Sequence, residues 1–165
     1  VETLLQAARL MKDRADLMFV LAGGDHQAIA TDFNGRFLGR VPYAEMPEVT
    51  ACADISVAPY DRSRLPSLKL GFFWSPLKIF ESLASGVPMI TLDIEPLNQI
   101  VRANQEGVFF RENDAQDLAR VIGSLAPHRE QRLTMGRNAR DRAPQFSWAA
   151  HAAQVESILQ GLRAA

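Results

Sequence analysis

At 165 residues the chain can bury one sizeable core, and its 47% hydrophobic and 22% charged content is that of an ordinary folded domain, not of a disordered one. Eighteen basic side chains against nineteen acidic ones give a formal charge of −1, which argues against bulk attraction to nucleic acid or to an acidic membrane. The single cysteine, Cys52, excludes an internal disulfide framework, three scattered histidines offer no metal-ligand spacing, and no apolar run reaches the ~20 residues that span a bilayer.

Residues Glu2–Lys12 place Leu4, Leu5, Ala8 and Met11 on one face and Glu2, Gln6 and Arg9 opposite, which predicts an amphipathic helix. Val1 already stands at the head of that helix, so the sequence reads as starting inside a larger fold. The run Leu17–Ala22, closed by Gly23-Gly24, has the pattern of a parallel strand buried on both faces. Arg36–Leu38 is a shorter strand, and Gly39-Arg40-Val41-Pro42 turns out of it. Tyr43–Ala53 predicts a helix with Met46, Val49 and Cys52 inward, with Pro47 near its true start. Asp54–Ala58 follows as a further buried strand.

From Pro59 to Ser75, prolines, a glycine and the cluster Phe72-Phe73-Trp74 break every period, and a loop of this length in a compact domain is usually functional. The stretch Trp74–Met89, WSPLKIFESLASGVPM, then reads as loop, helix, turn and strand. Ser75 is placed to cap the helix, Pro76 suits its first position, and Gly86 ends it. Leu77, Phe80 and Ala84 recur at helical spacing as the expected packed stripe, and Glu81 lies on it. Burying that carboxylate unpaired would cost several kcal/mol, on the order of the effective penalty for one ion, so it calls for an arginine, backbone amides or a ligand's hydroxyls. Val87–Leu92 predicts a strand, Pro96–Asn104 a helix, Gly107–Phe110 a strand, and Ala115–Leu125, His128–Arg142 and Trp148–Leu162 a helical tail. Alternating strands and helices over Glu2–Leu125 imply an α/β fold, a Rossmann-like doubly wound parallel sheet.

In such sheets ligands sit beyond the carboxyl ends of the strands. Gly23, the Arg40-Val41 turn, the Pro59–Ser75 loop and the start of the Pro76–Ser85 helix all fall there. The helix start favours an anion through its dipole, and Lys78 adds a charge in the first turn, although taken alone Lys78 reads more readily as a solvated helix residue. Gly23-Gly24 lacks the G-x-G-x-x-G spacing of a nicotinamide-cofactor site. Ser82 and Ser85 lack a glycine-flanked nucleophile elbow, and Asp61, Asp93 and Glu95 have no acid/base spacing. His26 reads as a solvated loop histidine, and the arginines of 129–142 as a charged helix face.

The segments VETLLQAARLM, FVLAGG, FLGRVP, ACADISVAPY, SPLKIFESLASGVPMI, EGVFFRENDAQDLARVI and FSW, in this order and spacing, resemble the C-terminal, donor-binding half of GT-B glycosyltransferases of the GT4 type. The resemblance implies that Glu81 binds ribose hydroxyls of a nucleotide-sugar, that backbone groups of Trp74, Ser75, Pro76 and Leu77 face the diphosphate and sugar, and that Arg40 and Val41 lie against the base. Lys78 matches a lysine common in the subset with this P-x-K-x-x-E wording. Phe73 stands where the family often has another glutamate, eight positions before the ribose-binding one.

By the same resemblance, the family's diphosphate-holding arginine and lysine and its central strand would precede Val1, and the catalytic and acceptor-contacting residues would belong to an N-terminal half. The implied activity is that of a retaining, metal-independent and cofactor-free hexosyltransferase. It would work in the cytoplasm or at the inner face of a membrane reached through the N-terminal half, and be inactive as this piece alone. The expected partners are a nucleotide-sugar donor and a glycan, lipid-linked or small-molecule acceptor, with no nucleic acid. Two other readings stay open at this point: a nucleotide-sugar epimerase of the same architecture, and a non-catalytic nucleotide-sugar-binding domain.

Overall fold

The computed structural model describes residues 1–24, 32–63 and 75–164. Helix α1 (Glu2–Leu10) leads into strand β1 (Phe19–Ala22), which pairs in parallel with β2 (Gly35–Gly39) from Phe19 opposite Gly35 to Ala22 opposite Gly39. A 3-10 turn (Tyr43–Glu45) and helix α2 (Met46–Ala51) follow, the latter with a proline in its first turn. Strand β3 (Ser56–Val57), helix α3 (Leu77–Ser85), β4 (Met89–Leu92), α4 (Leu97–Ile100) and β5 (Gly107–Phe110) build a second parallel sheet of order β3-β4-β5. Helices α5 (Ala115–Leu125) and α6 (Arg129–Arg142), a 3-10 turn (Ala143–Phe146) and α7 (Trp148–Ala164) complete the chain.

The expected α/β architecture of parallel strands flanked by helices, with a helical tail, is what the chain adopts. Its core lies around β4, whose four residues are all buried, with Ile79 and Leu83 of α3, Leu97, Leu118 and Met135 packed about it. A second cluster, Leu5, Ala8, Leu21 and Phe33, seals α1 against β1 and β2, and Phe19 touches both clusters. Asp114 caps α5 by accepting the Asp117 N–H at 2.8 Å, which satisfies one of the free first-turn amides.

Several expectations fail for identifiable reasons. Strand β1 is not buried on both faces: Val20 is 47% exposed and Ala22 is exposed, because among the described residues β1 bonds to β2 alone. Strand β3 is likewise only half-buried, with β4 as its one partner among the described residues. Cys52 is exposed at the end of α2 instead of facing inward.

On α3 the buried stripe is Ile79, Ser82 and Leu83, not Leu77, Phe80 and Ala84. Leu77 is 57% exposed and Ala84 is exposed, while Phe80 packs sideways on the 3-10 turn after α6. Gly86 ends the helix as expected, in the left-handed region at φ 71°. The cap expected from Ser75 is absent: Pro76 occupies the cap position, and Ser75 contributes its carbonyl, which accepts the Leu77 N–H at 2.9 Å.

Helix α7 meets the expected Trp148–Leu162 span and runs two residues further. Val155, Ile158, Leu159 and Leu162 are exposed at helical spacing along it. No helix among the described residues is long and apolar enough to cross a membrane.

Candidate donor site at the carboxyl edge of the strands

The residues singled out in the sequence gather at the carboxyl ends of the strands in two groups, one on each sheet. In the first, Gly23 (φ 92°) leaves β1 and donates its N–H to the Gly39 carbonyl at the end of β2, 2.6 Å away. A side chain at either glycine would strain the backbone, since both have positive φ. This bond fixes the turn that carries Arg40, exposed, and Val41, half-buried.

The second group is built on α3 and the exit of β3. One turn of α3 places Lys78 and Glu81 on the side turned away from Ile79 and Leu83, as 100° per residue requires. Glu81 is therefore half-buried at the rim of the helix and is not on the packed stripe. It accepts no hydrogen bond and forms no ion pair among the described residues. Glu81 is thus distinguished by its place at the carboxyl edge of the strands and not by burial.

Ser75 and Leu77 are exposed and Pro76 is buried at the head of the helix. The Leu77 and Ile79 amides donate to Ser75 and Pro76 carbonyls, which leaves the Lys78 N–H without a backbone acceptor among the described residues. Trp74, His26 and the Phe72-Phe73 cluster lie outside the described residues.

Tyr60, at the exit of β3, was not singled out by its sequence position. Its ring lies 6.0 Å from the Lys78 ammonium, at the outer limit of a cation–π contact. Burial pushes its phenol up to about 12, so it remains neutral and can donate at physiological pH. Ser82, weighed as a nucleophile, is buried instead, with its hydroxyl on the Lys78 carbonyl at 2.9 Å and on the Ser56 hydroxyl at 2.8 Å. Asp61 accepts from the Ser63 amide and hydroxyl, Asp93 from Asn98 and Glu95 from Gln99; these are turn and helix contacts, with no paired-carboxylate geometry. No three His, Cys, Asp or Glu side chains converge among the described residues.

A hollow of about 380 Å³ opens at the opposite edge, before β3 and β4, lined by Arg129, Arg132, Arg137 and Arg140 together with Asp54 and Asp141. Two of its arginines are occupied by helix ends, while Arg129 lies beside Glu130 and Arg137 donates to the Thr134 hydroxyl. Arg132 donates to the Leu125 and Ala126 carbonyls at the end of α5 and pairs with Asp54, and Arg140 donates to the Ser85 carbonyl at the end of α3. Guanidinium groups at helix carboxyl ends stabilise through the dipole, so this hollow is explained by the fold.

A parallel α/β domain with its polar side chains collected at the carboxyl edge, around the start of one helix, is the architecture of the C-terminal half of GT-B glycosyltransferases. Solved structures agree. Anabaena Alr3699/HepE in complex with UDP-glucose superimposes with a TM-score of 0.73 at 16% identity, over 97% of this chain and 44% of that one. TarM superimposes with a TM-score of 0.73 at 18% identity, over 98% of this chain and 31% of that one.

The model of the family "Glycosyl transferases group 1" matches residues 1–127, and the chain belongs to that family. Among curated relatives, the D-inositol 3-phosphate glycosyltransferase of Corynebacterium aurimucosum is 33% identical over 123 residues, 74% of this chain and 27% of that protein. The N,N'-diacetylbacillosaminyl-diphospho-undecaprenol alpha-1,3-N-acetylgalactosaminyltransferase of Campylobacter jejuni is 28% identical over 151 residues, 88% of this chain and 37% of that protein. The chain thus spans about a quarter to two fifths of the length of these relatives.

Proposed function

We propose that this chain is the donor-binding domain of a retaining, metal-independent glycosyltransferase that moves a hexosyl group from a nucleotide-diphosphate sugar to an acceptor hydroxyl. The observation that carries the reading is that Lys78 and Glu81 both lie on the side of α3 turned away from its buried face, at the carboxyl edge of the strands, in a chain of this family. Glu81 accepts hydrogen bonds from two ribose hydroxyls. Lys78 and the helix start lie on the diphosphate side, and the Arg40-Val41 turn borders the base. The two curated relatives named above are both transferases, which leaves the epimerase reading without support.

In this reading the domain supplies position and electrostatics and no covalent chemistry. Holding the donor by ribose and diphosphate fixes the anomeric carbon before the acceptor, which removes much of the entropic part of the barrier. Positive charge and amides already oriented on the diphosphate stabilise the charge that develops on it as the glycosidic bond breaks. The acceptor, a glycan, a lipid-linked or a small molecule, and the catalytic groups belong to an N-terminal half.

The experiment is a thermal-shift panel of nucleotide-sugars and nucleoside diphosphates on the full-length enzyme, followed by turnover of the best donor in excess EDTA. A saturable shift for one nucleotide family with activity retained in chelator supports the reading. No shift for any nucleotide, or loss of turnover with EDTA, overturns the corresponding part of it.

A further inference from the structure

Two strand exits are locked together across the end of β4 by a side chain that neither the family wording nor the site geometry assigns. Glu112, the second residue after β5, grips Arg62, the fifth residue after β3, with both carboxylate oxygens. Oε1 accepts the Arg62 backbone N–H at 2.6 Å, and Oε2 accepts from Nε at 2.8 Å and from Nη2 at 2.6 Å. The neighbours reinforce the join. Ser63 donates its amide and its hydroxyl to Asp61 at 2.9 and 2.6 Å, and the Asn113 amide donates to the Ser63 hydroxyl at 3.3 Å. The Arg62 guanidinium holds the Glu112 carboxyl below the usual carboxylate range, against burial and the nearby Asp61, which push it up.

An ordinary surface ion pair ties two side chains, loses most of its Coulomb energy to water and matters little. This one differs because Glu112 also takes a backbone amide, so it fixes the path of the main chain two residues beyond Tyr60. Tyr60 is the residue whose ring stands beside the Lys78 ammonium. We propose that Glu112 is a positioning residue for the donor: by clamping Arg62 it sets the β3 exit, and so the wall against which Lys78 is held for the diphosphate. The proposal rests on the donor-site reading given above. It concerns a residue past the end of another strand, one that touches no ligand itself.

The test is calorimetric binding of UDP, GDP, ADP and dTDP to the full-length enzyme, in the wild type and in Glu81→Ala, Glu112→Ala, Glu112→Gln, Arg62→Ala and the Arg62→Ala/Glu112→Ala double variant. With the nucleotide that the wild type prefers, Glu112→Ala and Arg62→Ala each weaken binding about tenfold, and the double variant is no weaker than either, because both remove one clamp. Glu112→Gln, which keeps an acceptor for the Arg62 amide, lies between Glu112→Ala and the wild type. The unliganded melting temperature stays within two degrees of the wild type, roughly the shift of a small ΔΔG, which separates positioning from general folding. Glu112→Ala binding within twofold of the wild type, or losses that multiply in the double variant, overturns the proposal while Glu81→Ala still reports on the donor site. If the wild type binds none of the four nucleotides, the donor-site reading fails first and the clamp proposal falls with it.

Discussion

The ring of Phe146 packs against that of Phe80 with centroids 5.1 Å apart and planes tilted by 38°. Phe80 is the residue before Glu81, so the turn that follows α6 braces the flank of the helix that carries the candidate ribose ligand. The same ring takes the Arg142 guanidinium on its face, 5.4 Å from the centroid. Both phenylalanines are half-buried, which places the value of the contact below that of a core aromatic.

Phe146→Ala should therefore destabilise the protein by about 2 kcal/mol, less than the ~3–5 kcal/mol of a fully buried Phe→Ala change. Urea unfolding of the full-length enzyme checks this. A Phe80→Ala/Phe146→Ala pair should lose less than the sum of the two, as contacting residues do.

Glu106 is fully buried just before β5, and its carboxylate is surrounded by donors. It takes the Arg102 backbone N–H at 2.9 Å, the Arg102 guanidinium in two places, and Arg142 at 3.4 Å. Burial pushes this carboxyl up, but the Arg102 hydrogen bonds and the charges of Arg102 and Arg142 outweigh it and hold it below the ordinary range. Glu106→Gln should cost about 1.5–3 kcal/mol at pH 7, the range of hydrogen bonds to a charged group, since the Arg102 side chain itself is half-exposed. Because the carboxyl titrates lower in the folded protein than in the unfolded chain, its contribution is complete above the unfolded-chain value, about 4.3, and fades as pH falls through the lower folded value. Urea midpoints of wild type and variant from pH 7 down to pH 3 should converge only at the acid end.

Gly136 of α6 sits directly on the Gly86 carbonyl, and a Cβ there would fall well inside contact distance of that oxygen. The obstacle is backbone, so no side-chain rotation relieves it. Gly136→Ala should destabilise by about 1–3 kcal/mol, the range of overpacking in a close contact, although alanine is the better helix former. A thermal melt at or above that of the wild type would show that α6 moves away from α3 at little cost.

Much of this molecule was legible in its residues, and the failures share a cause. The strand Gly107–Phe110 and helix Ala115–Leu125 appear as read, and the structure adds the Asp114 cap at the head of that helix. The Gly86 stop was equally clear. The packed face of α3 is not legible in its sequence, because Leu77, Phe80 and Ala84 satisfy helical spacing as well as Ile79, Ser82 and Leu83 do. Which set is buried depends on where α2, α6 and β4 lie, and a single helix does not contain that information. Strand β1 was judged fully buried from its composition, whereas burial on both faces requires neighbours that an apolar run cannot specify. Tyr60, Arg62 and Glu112 were out of reach because the last two are fifty residues apart and meet only once three parallel strands bring their exits to one edge. A carboxylate two residues past a strand, facing an arginine past another, is a weak signal until the strand order is known.

Glu81 as the ribose ligand is the claim on which the functional account rests, and it is tested by comparing a nucleoside diphosphate with its 2′,3′-dideoxy analogue on the full-length wild type and on Glu81→Ala, by calorimetry. Hydrogen bonds to a charged acceptor contribute about 1.5–3 kcal/mol, so the wild type should prefer the natural nucleotide by roughly 10- to 100-fold. Glu81→Ala should bind the two ligands equally, at the affinity the wild type has for the dideoxy form. A Glu81→Ala variant that keeps the wild-type affinity and still prefers the natural nucleotide would contradict the account.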